Sequence, residues 1–428
     1  MSYRNAPDAE ITYRQRTPRS AEMDARGLSS LPIASSRGIS FYAPYPVTIA
    51  RGSGPFLHDI DGNRYIDLHS NFFSLIHGNA YPPITEAVSA HLARGTAWSA
   101  NNTPQIELAE QITGRVPSVD QVLFNNSGTE AFSLALNLCR GATRRYKFLM
   151  AAGGYHGSMY DTALGSKGLP GPNHYVAPYG DTDAFVAAID AHGSELAGVF
   201  VEGVMGAGGF AQAPDGFFAA VKQACRRVGA VFVLDEVISL RLAAGGYQAL
   251  HGIEPDLTMM GKIIGGGFPI GAVGGTREVM RLAHPTSGRV LASGTFSGNP
   301  LAMVAGGVGM RDLTEEKIDR IGGWAEQIER GLIAKATSVG LPLWTRRIGS
   351  LVAWYFYDPG PGCVYGHSRP DRETVRRHHL SMLVNGLFPT PRAALATSTA
   401  LSDALVDEVI DRLCQSLDDL TAYLASAK

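Results

Sequence analysis

Cysteine is scarce in this chain, neither sign of charge dominates it, and no apolar run is long enough to cross a bilayer. Four cysteines, Cys139, Cys225, Cys363 and Cys414, stand far apart, without the close pairs that a zinc site or a disulfide framework requires. The twelve histidines form no His-Glu-x-x-His pattern. Adjacent His378 and His379 would point to different faces of a helix, which argues against a metal site. A formal net charge of −2, with both signs interspersed, gives no basic footprint for nucleic acid and no polybasic patch for a membrane. The stretch from Met1 to Ser20 is polar and lacks the apolar centre of a signal peptide. Elsewhere the apolar segments are broken by Glu202, Asp235 and glycines, well short of the roughly 20 residues a membrane span needs. The expectation is a cytoplasmic protein that binds small molecules and neither nucleic acid nor membrane.

Glycine, by contrast, is plentiful: there are 50 in 428 residues, and 45% of the chain is apolar, ample for a large core. The glycines are densest in the middle of the chain, where short apolar runs alternate with amphipathic segments. Candidate strands are Gln121–Phe124, Lys147–Met150, Leu196–Val201, Val231–Leu234, Leu257–Met260 and Gly271–Gly274. Candidate helices are Thr129–Arg140, Thr182–His192, Asp215–Val228 and Pro300–Leu313. Apolar strands without strict alternation, separated by helices, predict a mainly parallel sheet covered on both faces. Thr48–His69 reads as a β-meander with turns at Gly52-Ser53-Gly54 and Asp61-Gly62-Asn63. Beyond it the pattern predicts a helix over Thr314–Val339, a strand over Ser350–Tyr357, a turn at Asp358–Gly362, a helix over Arg372–Val384 and a terminal helix capped by Ser402. The resulting fold class is α/β: an N-terminal segment (1–70) and a C-terminal α+β domain (314–428) make one small domain, and 71–313 makes a large one.

Two residues at strand ends point to chemistry. Val231-Phe232-Val233-Leu234 ends in Asp235-Glu236, and Leu257-Thr258-Met259-Met260-Gly261 ends in Lys262, followed by a glycine-rich turn. An ammonium at the end of a buried strand is desolvated, which lowers its pKa and readies it to form an imine. A carboxylate and an amine so placed can face one flat heterocycle. Pyridoxal phosphate (PLP) requires that pair, a lysine for its aldehyde and an acid to keep its ring nitrogen protonated.

Three further segments fall at strand ends in the same order. Asn125-Asn126-Ser127-Gly128-Thr129-Glu130 precedes a helix, where hydroxyls, backbone N–H groups and the helix dipole suit a phosphate. Gly153-Gly154-Tyr155-His156-Gly157 puts an aromatic ring and an imidazole at the carboxyl edge of the sheet, where open α/β sheets bind ligands. Ser293-Gly294-Thr295-Phe296-Ser297-Gly298-Asn299-Pro300 supplies a second hydroxyl turn. Singly, each has a plain structural explanation: an N-cap, a loop tyrosine, a strand-end lysine with its stem on the core. Their joint occurrence in one order is what carries the reading.

With these segments the chain resembles the class III, fold-type I, PLP-dependent aminotransferases over nearly its whole length. Within them it is similar to the glutamate-1-semialdehyde aminomutase-like branch and, through Ser36–Pro46 and Asp235–Leu242, to β-amino-acid (β-phenylalanine-type) transaminases. The resemblance implies a homodimer with Lys262 as Schiff-base lysine and proton shuttle and Asp235 as partner of the ring nitrogen. It further implies Ser127, Gly128 and Thr129 at the phosphate, Tyr155 and Val237 on the two ring faces, and His156 and Glu202 among the cofactor contacts. Thr295 would reach the phosphate of the neighbouring subunit, and Arg37, or Arg392 in Pro389-Thr390-Pro391-Arg392, would bind a substrate carboxylate. Two segments depart from the family pattern. Val201-Glu202-Gly203-Val204-Met205-Gly206 has Gly203 where relatives commonly carry proline, and Asn71-Phe72-Phe73 is more aromatic than the aminomutase pattern. The function implied is ping-pong transfer of an amino group from an amino acid, a β-amino acid included, to a keto acid. An aminomutase, a racemase or epimerase, and a non-catalytic protein of the same fold are the alternatives.

Overall fold

The structure, a computed structural model, describes residues 8–158, 173–360, 362 and 370–426. Among them, one compact unit comprises Pro82 to Ile318 with Gly362, and a second joins the chain up to Tyr81 with Asp319–Gly360 and the residues from 370 onward.

The unit beginning at Pro82 is built on a seven-stranded sheet. In order across it lie Gln121–Asn125, Gly271–Gly275, Leu257–Gly261, Val231–Asp235, Leu196–Glu202, Lys147–Ala151 and His174–Ala177. Gly271–Gly275 runs antiparallel to both its neighbours, and the other pairings are parallel. The antiparallel strand is glycine-rich for a packing reason: a Cβ on Gly271 would run into the carbonyl of Ser127. Every residue of Leu196–Glu202 and Val231–Asp235 is buried, as strands covered on both faces must be.

Helix Gly128–Thr143 supplies much of that cover. It buries Ala131, Phe132, Leu134, Ala135, Leu136, Leu138 and Cys139. Phe132 meets Phe148 edge-on with centroids 5.5 Å apart and Phe200 at 4.7 Å. Burying side chains of this size contributes about 1.5–3 kcal/mol each, so this cluster holds the helix, and the turn at its start, against the sheet.

The second unit contains two sheets. Ile49–Ser53, Phe56–Asp59 and Arg64–Asp67 form the meander expected of Thr48–His69, and Leu387–Phe388 adds to it in parallel. Trp344–Ile348, Leu351–Tyr355 and Ala394–Ala396 form the other. Helix Arg372–Val384 matches its expected range, and the last helix, Asp403–Ser426, starts beside Ser402, whose Oγ accepts from Leu405 N at 3.4 Å.

Several elements were not evident in the sequence. The polar N-terminal stretch forms helices Ala9–Arg16 and Pro18–Gly27, anchored by Tyr13, whose hydroxyl donates to the Tyr45 carbonyl at 2.6 Å. Helices Pro82–Leu92 and Thr103–Arg115 and strand His174–Ala177 were likewise missed. The expected turn Asp358–Gly362 is described apart from Pro361, and Cys363 lies outside the described residues. No described helix is long and apolar enough to cross a membrane, and no described residues group as a metal site.

Candidate active site

Strand register places the acidic residues side by side. Asp235 ends its strand opposite Glu202 on one neighbour and Met259 on the other, and Lys262 follows Gly261 at the end of that second neighbour. The backbone turns sharply there: Lys262 has φ +49°, in the left-handed region that a side-chain-bearing residue seldom occupies. Such strain is stored where surrounding structure over-determines it, often at a functional site.

Around this pair the polar contacts are specific. Asp235 Oδ2 lies 2.7 Å from His156 Nδ1, and Asp235 Oδ1 accepts from Val237 N at 2.9 Å. Glu202 Oε1 accepts from Tyr155 N and its Oε2 from Gly206 N, both at 2.9 Å. The glutamate thus pins two loops at once, one of them the loop carrying Tyr155. Asp235 (5% exposed), Glu202 (4%) and His156 (2%) are buried, whereas Lys262, Tyr155, Val237, Ser127, Gly128 and Thr129 are half-buried.

The charges of this group act on one another. Burial lowers the Lys262 pKa, opposed by the charges of Asp235 and Glu202. Lys262 nonetheless makes no hydrogen bond or ion pair with a described residue, so its amine stands near two carboxylates and engages neither. Burial also raises Glu202 to about 7, with His156 pulling it down and Asp235 pushing it up. For His156, burial disfavours the charged ring, but the hydrogen bond and charge of Asp235, with the charge of Glu202, win and raise its pKa.

The hydroxyl turn lies at a helix start, as expected. Ser127 is the N-cap of the 16-residue helix Gly128–Thr143, its Oγ accepting from Glu130 N at 3.1 Å. The Ser127 proton and the N–H groups of the first helical residues stay available to an anion. Thr129 Oγ1 accepts from Ser158 N at 3.2 Å, which ties this turn to the Tyr155 loop. Val237 lies against both Gly128 and Gly261: a Cβ on either would stand 3.5 or 3.4 Å from its Cγ1. Thr295 is not drawn into this group. It is exposed, on a loop that passes Asn126 of the same chain.

Arg37 and Arg392 belong to the other unit. Arg37 lines a cavity of about 240 Å³ together with His69, Asn71, Asp67, Leu57 and Phe388, and its Nη1 donates to Asn71 Oδ1 at 2.5 Å. Burial, then the charges of Arg37 and Arg392, lower His69 to about 4, so both arginines act on one imidazole. Sequence reasoning passed over His69 and Asp67; their only signal was a polar run, His69-Ser70-Asn71, directly after a strand. It also did not find that His156 pairs with Asp235, 79 positions away.

An acid and an amine at the ends of neighbouring strands of a mainly parallel sheet, beside a capped hydroxyl turn, define a fold-type I PLP enzyme. A family description, "Aminotransferase class-III", matches residues 40–361, and the chain belongs to that family of PLP-dependent transaminases, with pyridoxal 5′-phosphate as its cofactor. Glutamate-1-semialdehyde 2,1-aminomutase of Heliobacterium modesticaldum is 39% identical over 335 residues, covering 73% of this chain and 76% of its own. Beta-phenylalanine transaminase of Variovorax paradoxus is 34% identical over 409 residues, covering 94% and 93%. The crystal structure of an omega-transaminase from Sphaerobacter thermophilus matches with a TM-score of 0.90 at 35% identity, covering 96% of this chain and 99% of its own.

The residues present suit the cofactor. The Lys262 amine, under the charge of two carboxylates but bonded to neither, is free to bond a cofactor aldehyde. The Ser127 cap offers a dianion hydroxyl and backbone donors, and Gly128 brings no side chain into that space.

Proposed function

We propose that the enzyme moves the amino group of an amino acid, foremost a β-amino acid with an apolar or aromatic substituent, to a keto-acid acceptor, with Lys262 as the catalytic amine. The observation that carries this is the placement of Lys262 and Asp235 at adjacent strand ends, with Lys262 unpaired among the described residues. Bound pyridoxal phosphate supplies an electron sink and stores the amino group between the two half-reactions.

The chain's own residues do the rest. Lys262, its proton affinity lowered by burial, takes and returns the proton at the substrate's amine-bearing carbon. Asp235 holds a proton at the cofactor's ring nitrogen, and His156 fixes the carboxylate's orientation through Oδ2. Ser127, Gly128 and Thr129 bind the phosphate, while Tyr155 and Val237 cover the ring faces. Glu202 acts through the backbone, setting the Tyr155 loop. Arg37, with Arg392 as the second candidate, binds the substrate carboxylate by a charge-assisted bond.

The working form is a homodimer, with Thr295 serving the neighbouring subunit's phosphate. Leu291 (87% exposed) and Phe296 (58%) flank Thr295, and apolar side chains so open on one loop suit a surface covered by a second copy.

Coverage of 93–99% in the matches to a beta-phenylalanine transaminase and an omega-transaminase supports transfer between two molecules, while relatives named glutamate-1-semialdehyde aminomutases support rearrangement within one as the second reading. A screen of amine donors against pyruvate and 2-oxoglutarate tests this. The expected result is acceptor-dependent production of alanine or glutamate. An isomerised product without any acceptor indicates an aminomutase instead, and proton exchange without net transfer a racemase.

A further inference from the structure

The cavity beside Arg37 contains a polar group with no role in the reading above. We propose that His69 is a specificity-determining residue whose Nε2–H donates a hydrogen bond to the same substrate carboxylate that Arg37 binds. This rests on Arg37 being the carboxylate-binding residue.

The tautomer follows from the backbone. His69 Nδ1 accepts from Phe72 N at 2.9 Å, so Nδ1 carries no proton and Nε2 does. The side chain is only 8% exposed and lines the cavity, and Nε2–H has no partner among the described residues. Nε2 is not itself sealed from solvent, so its N–H is accessible to a ligand oxygen entering the cavity.

An unusual turn creates this arrangement. Ser70, Asn71, Phe72 and Phe73 have φ of +46°, +49°, +53° and +70°, four successive residues in the left-handed region without a glycine. The turn brings the Phe72 N–H back to the imidazole and sets the two rings edge to face, with centroids 4.2 Å apart. Strain of this extent marks a segment shaped by something other than local preference.

The carboxylate and the amides of the cavity are already engaged, Asn71 through Arg37 and Ser74. Asp67 Oδ1 accepts from His69 N and Ser70 N, and its Oδ2 from Asn79 Nδ2. Arg37 has a neutral side-chain acceptor, Asn71 Oδ1, and no carboxylate within ion-pair distance among the described residues. What remains open is a guanidinium, one neutral N–H and the Ser40 hydroxyl, against a wall that includes Ile49, Leu57, Leu75 and Phe388. Those are the complements of a compact ligand with one carboxylate and an apolar body. Burial and the two arginines keep the imidazole uncharged near neutral pH, so His69 offers direction while Arg37 offers charge.

The test uses the PLP-loaded enzyme and a matched pair of ligands, 3-phenylpropanoate and 3-phenylpropan-1-ol. His69→Asn keeps a short acceptor for the Phe72 N–H but removes the Nε2 donor. His69→Gln restores an N–H at about the reach of Nε2. The expected result is that preference for the carboxylate over the alcohol, read as the ratio of dissociation constants, falls about tenfold or more in His69→Asn and recovers in His69→Gln. An unchanged ratio in His69→Asn, or an equal loss in both variants, overturns the proposal. If Arg37→Ala abolishes the preference while His69→Asn leaves it intact, the His69 inference falls and the Arg37 reading stands. If the wild type binds both ligands alike, the Arg37 reading fails as well.

Discussion

His156 Nδ1 lies 2.7 Å from Asp235 Oδ2 with both side chains buried, which makes the imidazole the fixed partner of the carboxylate assigned to the cofactor ring. Removing one member of a buried, bonded pair leaves the other uncompensated, at a cost of about 3–5 kcal/mol. His156→Leu should therefore lose that much stability in equilibrium unfolding of the apoenzyme, and a loss below about 1 kcal/mol contradicts the pairing. The raised His156 pKa gives the effect a pH signature. Its stabilisation is complete below the imidazole's ordinary value near 6.5 and is lost as pH rises through the folded value.

Lys262→Ala should abolish multiple turnover while the fold persists, because among the described residues no other lysine ends a central strand beside the Asp235 carboxylate. Borohydride reduction followed by peptide mapping checks the attachment directly. A pyridoxyl group on any other lysine removes Lys262 from its assigned role.

Asp235→Asn keeps the size of the side chain and discards its charge. Proton abstraction in a single turnover should slow by about 100-fold or more, far beyond any fall in cofactor affinity. A single-turnover rate near that of the wild type would leave Asp235 a structural residue, the partner of Val237 N and His156 Nδ1.

Glu202 should shape the acid limb of stability. Its carboxyl is raised from an ordinary 4.5 to about 7 by burial foremost. Between these values the folded chain keeps a proton that the unfolded chain has lost, so this share of stability is full below 4.5 and gone above about 7. Glu202→Gln should flatten the stability profile across that window by up to about 1.4 kcal/mol per pH unit. It should also lower stability throughout, since an amide cannot accept from both Tyr155 N and Gly206 N. Unfolding midpoints measured across the window decide it, and an unaltered slope contradicts the shift.

Arg37→Ala should reduce the preference for β-phenylalanine over 1-phenylethylamine, in kcat/KM, by about 1.5–3 kcal/mol, the worth of a hydrogen bond to a charged group. An unchanged preference moves the carboxylate contact to Arg392, the other arginine acting on His69.

The strands ending at Asp235 and Lys262 and the hydroxyl turn at Ser127 were legible in the sequence because their signals are local. A short apolar run that stops at an aspartate, a lysine before glycines, or a serine ahead of a periodic apolar stripe each express preferences of neighbouring residues. Tertiary structure decided how they meet. It turned Gly271–Gly275 antiparallel between Gln121–Asn125 and Leu257–Gly261, set Asp235 beside Glu202, and gave Asp235 its histidine. It also built the Arg37 cavity from residues 37–79 and 388–391 and left the His69 Nε2–H open within it. These pairings join residues far apart in the chain, and their energies come from desolvation and close packing, which exist only once the intervening elements have folded.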